Sequence, residues 1–74
     1  MSRITDLTIL KEFEYEGVIY GFYWAKFEGE DKLFTRNGDT VKTVTHWFGK
    51  GDELVNIRDD VKQELLQEIQ NIKN

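Results

Sequence analysis

Aromatic and β-branched residues fill two neighbouring segments near the start of the chain, residues 7–15 and 18–27. These residue types favour β-strands, and the Glu16-Gly17 pair between the segments suits a two-residue turn. The pattern therefore predicts a β-hairpin with its turn at Glu16 and Gly17.

The position of this turn determines which residues of the predicted hairpin lie opposite each other. The opposed pairs on one face are Tyr15 with Val18, Phe13 with Tyr20, Lys11 with Phe22, and Ile9 with Trp24. That face is mostly aromatic. The opposite face carries Glu12, Glu14, Ile19, Gly21, Tyr23 and Ala25. We expect this second face to be partly open to solvent.

A second hairpin is predicted where residues 33–36 and 40–48 flank Asn37-Gly38, which is a strong turn signal. Residues 28–31, just before it, have the composition of a polar turn. Apolar residues of the 40–48 segment also recur at helical spacing, so a helix is the alternative there. The valine and threonine content of the segment favours a strand.

The end of the chain has the spacing of an amphipathic helix, from about residue 58 to residue 73. Its apolar residues recur at steps of four, four and three, and they are Val61, Leu65, Ile69 and Ile72. Residues 53–57, which precede the helix, are predicted to be either a short fifth strand or an extended lead-in.

These elements predict a single α+β domain over residues 1–74. It consists of a small antiparallel sheet of four to five strands, arranged as a hairpin meander and packed against one C-terminal amphipathic helix. A chain of 74 residues has room for one core. We expect the apolar stripe of the helix to cover the aromatic face of the first hairpin.

Charge and cysteine content narrow the classes of partner and compartment. Fourteen acidic and ten basic residues give a net charge of -4, which disfavours nucleic acid and would attract a basic protein surface. The chain has no cysteine and no long apolar run, so we expect neither disulfides nor a membrane span. A cytoplasmic location is the prediction that fits these features.

The sequence offers little for catalysis. His46 is the only histidine, and the only serine, Ser2, lies close to the chain end. With no cysteine and no second histidine, a metal site of the usual ligand types is not expected. Gly49-Lys50-Gly51 lacks the remaining residues of a phosphate-binding loop. We therefore predict no enzymatic activity, no catalytic residue, no metal and no cofactor.

The acidic composition predicts a non-catalytic module that binds a protein partner with a basic surface. The most specific form of this hypothesis is an inhibitor of phage or mobile-element type that occupies a basic site on a nucleic-acid-binding host protein. The residues expected to contact the partner are Glu12, Glu14, Glu28, Glu30, Asp31, Trp47 and Phe48.

A small single-stranded nucleic-acid-binding domain is the alternative function, because aromatic residues on a sheet can stack with bases. That hypothesis needs basic residues among the rings, whereas Glu12, Glu14 and Glu16 are their neighbours in the sequence. A homodimer is also compatible with the pattern, since an unpaired edge strand or a wide helix stripe can pack against a second copy.

Overall fold

The computed structural model describes residues 3–44 and 54–74, which contain five strands and one helix. In chain order these are β1 (Ile4–Tyr15), β2 (Val18–Phe27), β3 (Glu30–Asn37), β4 (Thr40–Val44), β5 (Leu54–Asn56) and α1 (Asp59–Lys73). The strands form one antiparallel sheet in the order β1-β2-β3-β4-β5. The α+β meander with a C-terminal helix, predicted from the sequence, is therefore confirmed.

Two of the strands, β1 and β3, are longer than the apolar runs that predicted them, whereas β5 (Leu54–Asn56) is a short strand within residues 53–57. β1 begins at Ile4 rather than at residue 7, and β3 covers Glu30–Asn37 rather than 33–36. Backbone pairing with β2 continues beyond the apolar residues and includes polar ones. The strand prediction for residues 40–48 is confirmed as far as Val44, and the rest of that segment lies outside the described residues.

The turns β1–β2 and β2–β3 share one backbone geometry. Glu16 and Gly17 have φ angles of 52° and 78°, and Glu28 and Gly29 have 51° and 85°. Positive φ at both central residues is the requirement of a type I′ turn, whose twist matches that of the flanking strands. The second of these turns is shorter than the polar turn predicted over residues 28–31.

The turn between β3 and β4 lies one residue later than predicted. Asn37 pairs with Thr40, so the central residues are Gly38 and Asp39 rather than Asn37 and Gly38. Gly38 has a φ of 61°. A glycine with positive φ at the first central position fits a type II′ turn, which suits a hairpin equally well.

Two bulges interrupt the pairing of β1 with β2. The predicted register holds from Tyr15↔Val18 to Lys11↔Phe22, but Ile9 then pairs with Tyr23 because Leu10 is an extra residue. A second irregularity between Thr5 and Thr8 includes Asp6, whose φ is 53°. Each extra residue reverses the faces of the strand beyond it, so Ile9 lies on the face opposite to the one predicted.

The hydrophobic core lies between the helix and one face of the sheet. The helix contributes the buried stripe Val61, Leu65 and Ile69, as predicted, whereas Ile72 is half exposed. The sheet and the segment before the helix contribute Ile4, Leu7, Ile9, Tyr23, Ala25, Phe27, Phe34, Val41 and Ile57, of which Leu7, Ile9, Phe27 and Ile57 are partly buried. We call this side of the sheet the helix face.

The expectation that the helix covers the aromatic face of the first hairpin is wrong. Tyr23 and Ala25 are completely buried, whereas their neighbours Phe22 and Trp24 are 45% and 37% exposed. The helix therefore covers the face that contains Gly21, Tyr23 and Ala25. The small residues on either side of Tyr23 leave room for its ring, and the hydroxyl end of Tyr23 lies over Gly21.

Candidate functional site

The opposite side of the sheet, which we call the open face, has no helix over it in the described part of the chain. Strand alternation and the cross-strand register assign its residues. They are Thr5, Thr8, Lys11, Phe13, Tyr15, Val18, Tyr20, Phe22, Trp24, Lys26, Asp31, Leu33, Thr35, Asn37, Thr40, Lys42, Val44, Leu54 and Asn56.

Large apolar side chains on the open face remain accessible to solvent. Phe13 is 45% exposed and Tyr15 is 61% exposed, in addition to Phe22 and Trp24 on the neighbouring strand. The rings of Phe13 and Tyr20 stack with their centroids 5.3 Å apart. A contiguous exposed aromatic patch of this kind is typical of an interaction site.

One row of residues crosses the open face at right angles to the strands. Lys11 on β1 pairs with Phe22, Phe22 pairs with Thr35, and Thr35 pairs with Lys42 on β4. We call these four residues the central row. Neighbouring strands are about 4.8 Å apart, so the backbones at Lys11 and Lys42 are separated by about 14 Å. The central row thus places one lysine on each side of the exposed Phe22 ring.

Rings lie on both sides of the central row. Phe13 and Tyr20 form the next paired row in one direction, and Trp24 lies beside Leu33 in the other. The ammonium nitrogen of Lys11 is 5.6 Å from the centroid of the Phe13 ring. This distance places a cation against the face of a ring, where the two attract each other.

Most acidic side chains of the strands lie on the helix-face side, which also carries Lys32 and Arg36. Glu12 and Glu14 pair with Gly21 and Ile19, which places both carboxylates on the helix-face side of β1. Among the strand residues with a cross-strand partner, Asp31 is the one carboxylate on the open face, and its Oδ1 lies 3.1 Å from Nζ of Lys26. Glu12 and Glu14 therefore do not lie among the rings, although they are next to aromatic residues in the sequence, and Glu16 lies in the β1–β2 turn.

Glu12, one of the predicted contact residues, is engaged within the molecule. It forms an ion pair with Lys73 near the end of α1, and Tyr23 Oη donates a hydrogen bond to its Oε2 at 2.5 Å. Burial alone would raise the pKa of Glu12, but the bonds from Lys73 and Tyr23 outweigh it and hold that pKa below the ordinary value. This carboxylate joins the end of the helix to the sheet.

The three predicted acidic contacts near the β2–β3 turn each have a cation close by. Glu28 lies 4.0 Å from Arg3, Glu30 lies 4.0 Å from Lys32, and Asp31 has the contact with Lys26 described above. Glu30 is 77% exposed. The turn is thus an exposed group of nearly balanced charges rather than a purely acidic patch.

Arg3 holds the first strand against the start of the helix. Its guanidinium donates hydrogen bonds to Glu64 and, at 3.1 Å, to Asp60, and it lies over the Phe27 ring. These bonds hold the pKa values of Glu64 and Asp60 below their usual range, and they raise the pKa of Arg3. Two more carboxylates are therefore used for internal contacts.

A cavity of about 520 Å³ opens on the helix side near the start of α1. Its apolar lining includes Phe34, Ile57 and Val61, and charges of both signs surround it, among them Lys32 and Glu30. Three cations, Arg3, Lys32 and Arg58, and two carboxylates, Glu28 and Glu30, line it, so the lining has no strong bias towards one sign of charge on a ligand.

Some of the predicted features fall between Val44 and Leu54 in the sequence. Trp47 and Phe48, the two aromatic contact residues predicted from the sequence, lie outside the described residues, as do His46 and Lys50.

Within residues 3–44 and 54–74, no group of three or more histidine, cysteine or acidic residues could hold a metal ion. No helix in these ranges is long and apolar enough to cross a membrane.

Sequence reasoning placed the rings of the open face in the core and kept their use as a stacking surface only as the alternative function. The signal that could have found the open face is the small-aromatic-small pattern Gly21-Tyr23-Ala25, which marks the face that admits close packing. No family model matches the chain, no curated protein is significantly similar to it, and no solved structure matches its fold.

Proposed function

We propose that this chain is a non-catalytic binding module, and that it binds an anionic partner through the open face. The central row carries this proposal, because Lys11 and Lys42 flank the exposed ring of Phe22. An exposed aromatic centre provides apolar contact area, and the two lysines select a negatively charged partner.

The local charge of the open face supports this choice against the net charge of the chain. The molecule as a whole carries -4, which opposes anions at long range. At short range the carboxylates Glu12 and Glu14 lie on the other side of the sheet, and Asp31 is matched by Lys26. Contacts at the surface depend mainly on charges within a Debye length of about 8 Å.

A titration with a flexible polyanion tests the proposal. Polyglutamate at low salt should bind with saturation, and added salt should weaken the binding. The double variant Lys11→Gln/Lys42→Gln should lose this binding. Lys32→Gln/Lys62→Gln makes the same change of charge at two lysines away from the open face, and should retain it. Equal loss in both variants would contradict the proposal.

The basic protein partner predicted from the sequence is a second candidate. Its support is the exposure of the carboxylates at the β2–β3 turn, where the Glu28 side chain is 59% exposed and Glu30 more so. If that turn is the contact, an oligolysine peptide should bind at low salt, and Glu28→Gln/Glu30→Gln should weaken it. Unchanged binding in this variant would exclude the turn as the contact.

A second copy of the chain fits the open face less well than an anionic partner. Two open faces packed together would bring two copies of Lys11 and of Lys42 into one interface. Like charges in a desolvated interface are unfavourable. The homodimer considered from the sequence therefore has no support from the charges of this face.

A further inference from the structure

Among anionic partners, single-stranded nucleic acid is the class that uses all the features of the open face. We infer that a single strand of nucleic acid lies along the central row and crosses β1 to β4. This inference rests on the proposed function and goes further, because it names the chemistry of the partner. It depends on what the rings contribute in addition to the lysines.

The rings supply planar surfaces on the central row and on the row at each side of it, about 7 Å away along the strands. Phe22 lies on the central row itself, and bases of a strand that follows this row can turn to either side to reach the other rings. Phe13, Tyr20, Phe22 and Trp24 occupy three consecutive rows of β1 and β2, and each has some exposed surface. Bases stack on aromatic side chains with little dependence on sequence, because every base has a planar face. An acidic protein could satisfy the lysines, but its carboxylates would not use the faces of these rings.

The lysines supply positive charge at both ends of the row. Phosphates of a strand that crosses the sheet would pass Lys11 on β1 and Lys42 on β4, about 14 Å apart at the backbone. Each phosphate contact releases counterions, so such binding weakens steeply with salt.

The composition of the open face predicts that nucleic acid binds with little preference for its base sequence. In the described strands no arginine occupies a cross-strand position on this face, and Arg36 lies on the helix face opposite Gly21. Arginine is the side chain that most often reads a base edge with two hydrogen bonds. Stacking and phosphate contacts remain, and both are largely indifferent to sequence.

A duplex is a poorer partner for this surface. Its bases are already stacked on each other, so their faces cannot lie against Phe22 or Trp24 without local melting. We therefore expect single strands to bind more tightly than a duplex of the same length. The two lysines of the central row could also make only a few contacts with the two phosphate backbones of a duplex.

The test measures the anisotropy of fluorescent oligodeoxythymidine and oligoadenosine at low salt. Both should bind, and the matching duplex should bind at least about tenfold more weakly. In a Trp47→Phe background, where Trp24 is the only tryptophan, binding should quench the tryptophan emission as a base stacks nearby. Anisotropy alone decides the matter if the Trp47→Phe variant fails to fold.

Substitutions on the central row separate its two components. Lys11→Gln and Lys42→Gln should each reduce the magnitude of the negative slope of log affinity against log salt by about 0.7. Phe22→Ala should weaken binding about tenfold and leave that slope unchanged. Lys32→Gln, which makes the same change of charge on the helix face, should leave the slope unchanged.

The outcomes distinguish this inference from the proposed function. Binding of polyglutamate without binding of either oligonucleotide would overturn the inference and leave the proposed function standing. If neither polyglutamate nor either oligonucleotide binds, both the inference and the proposed function are overturned. Oligonucleotide binding that is insensitive to Phe22→Ala and Lys42→Gln would also overturn the inference, as would equal affinity for the duplex.

Discussion

The two faces of one β-strand have opposite roles in this protein. On β2, Tyr23 and Ala25 are completely buried under the helix, whereas Phe22 and Trp24, beside them in the chain, remain partly exposed. Both faces carry aromatic side chains, so hydrophobicity does not distinguish them. The difference lies in the neighbours: small residues flank Tyr23, and lysines occupy the rows of the open face.

This comparison explains how a chain of 74 residues can expose large rings. Its core is small but continuous, and it combines one helix stripe with residues of strands β1 to β4. The open-face rings are supplementary to that core, so they should contribute much less to stability. Large apolar side chains that stay exposed and add little to stability are expected to have a function.

The largest predicted effect comes from removing equivalent rings on the two faces. Phe34→Ala removes a side chain that is 2% exposed, and it should cost about 3–5 kcal/mol, enough to unfold much of a domain of this size. Phe22→Ala removes a half-exposed ring and should cost less than about 1 kcal/mol. Urea denaturation followed by circular dichroism measures both. Similar costs for the two variants would show that the open face is also part of the core.

The second prediction concerns the close contact that lets Tyr23 lie on the helix face. A Cβ atom at position 21 would lie 2.3 Å from Tyr23 Oη and 2.6 Å from its ring, so Gly21→Ala requires a buried ring to move. We expect a loss of about 1–3 kcal/mol. The loss should be smaller in a Tyr23→Phe background, where the hydroxyl is absent. Equal losses in the two backgrounds would mean that the contact with the hydroxyl is not the cause.

The prediction from sequence succeeded where a local rule decides the outcome. The helix stripe, the β-hairpins and most of the first register follow from periodicity and turn residues. The face that the helix covers is harder to predict, because both faces of β2 are apolar enough to pack against it and only the small residues beside Tyr23 distinguish them. Leu10 adds a second obstacle, since a bulge that reverses the strand has no clear signal in the sequence.

The candidate site was predictable only in part, because residues next to each other in a strand lie on opposite faces of the sheet. The rings were recognised as a potential stacking surface, but nearby glutamates in the sequence argued against that function. Strand alternation turns Glu12 and Glu14 away from Phe13 and towards the helix side. The partner of Glu12, Lys73, is 61 residues away in the chain, and no local pattern connects them.

The third prediction is a loss of stability in acid, caused by the carboxylates around Arg3. The pKa values of Asp60 and Glu64 are lowered in the folded state, so their contribution is present above their ordinary values of 3.8 and 4.5 and is lost as pH falls below these values. Arg3→Ala should remove this contribution and be less stable than the native sequence at neutral pH. The difference between the two proteins should narrow as pH falls. Urea denaturation at a series of pH values measures it, and a constant difference would contradict this account.

The smallest predicted effect appears only in alkali. Burial and the hydrogen bond to Glu12 raise the pKa of Tyr23 to about 12. The stability that this tyrosine contributes is complete below its ordinary pKa of 10.0 and is lost as pH rises from there towards 12. Ultraviolet absorbance during titration, compared with Tyr23→Phe, should show one tyrosinate appearing near pH 12. Its appearance near pH 10 in the folded protein would contradict the buried placement.

The central claim is that the helix covers one face of the sheet and leaves the aromatic face accessible. The native chain has no cysteine, so single-cysteine variants report on each position without interference. Phe22→Cys should react with a thiol reagent almost as fast in the folded protein as in urea, whereas Ala25→Cys should react only as fast as the protein unfolds. Rapid reaction of Ala25→Cys together with protection of Phe22→Cys would contradict the claim.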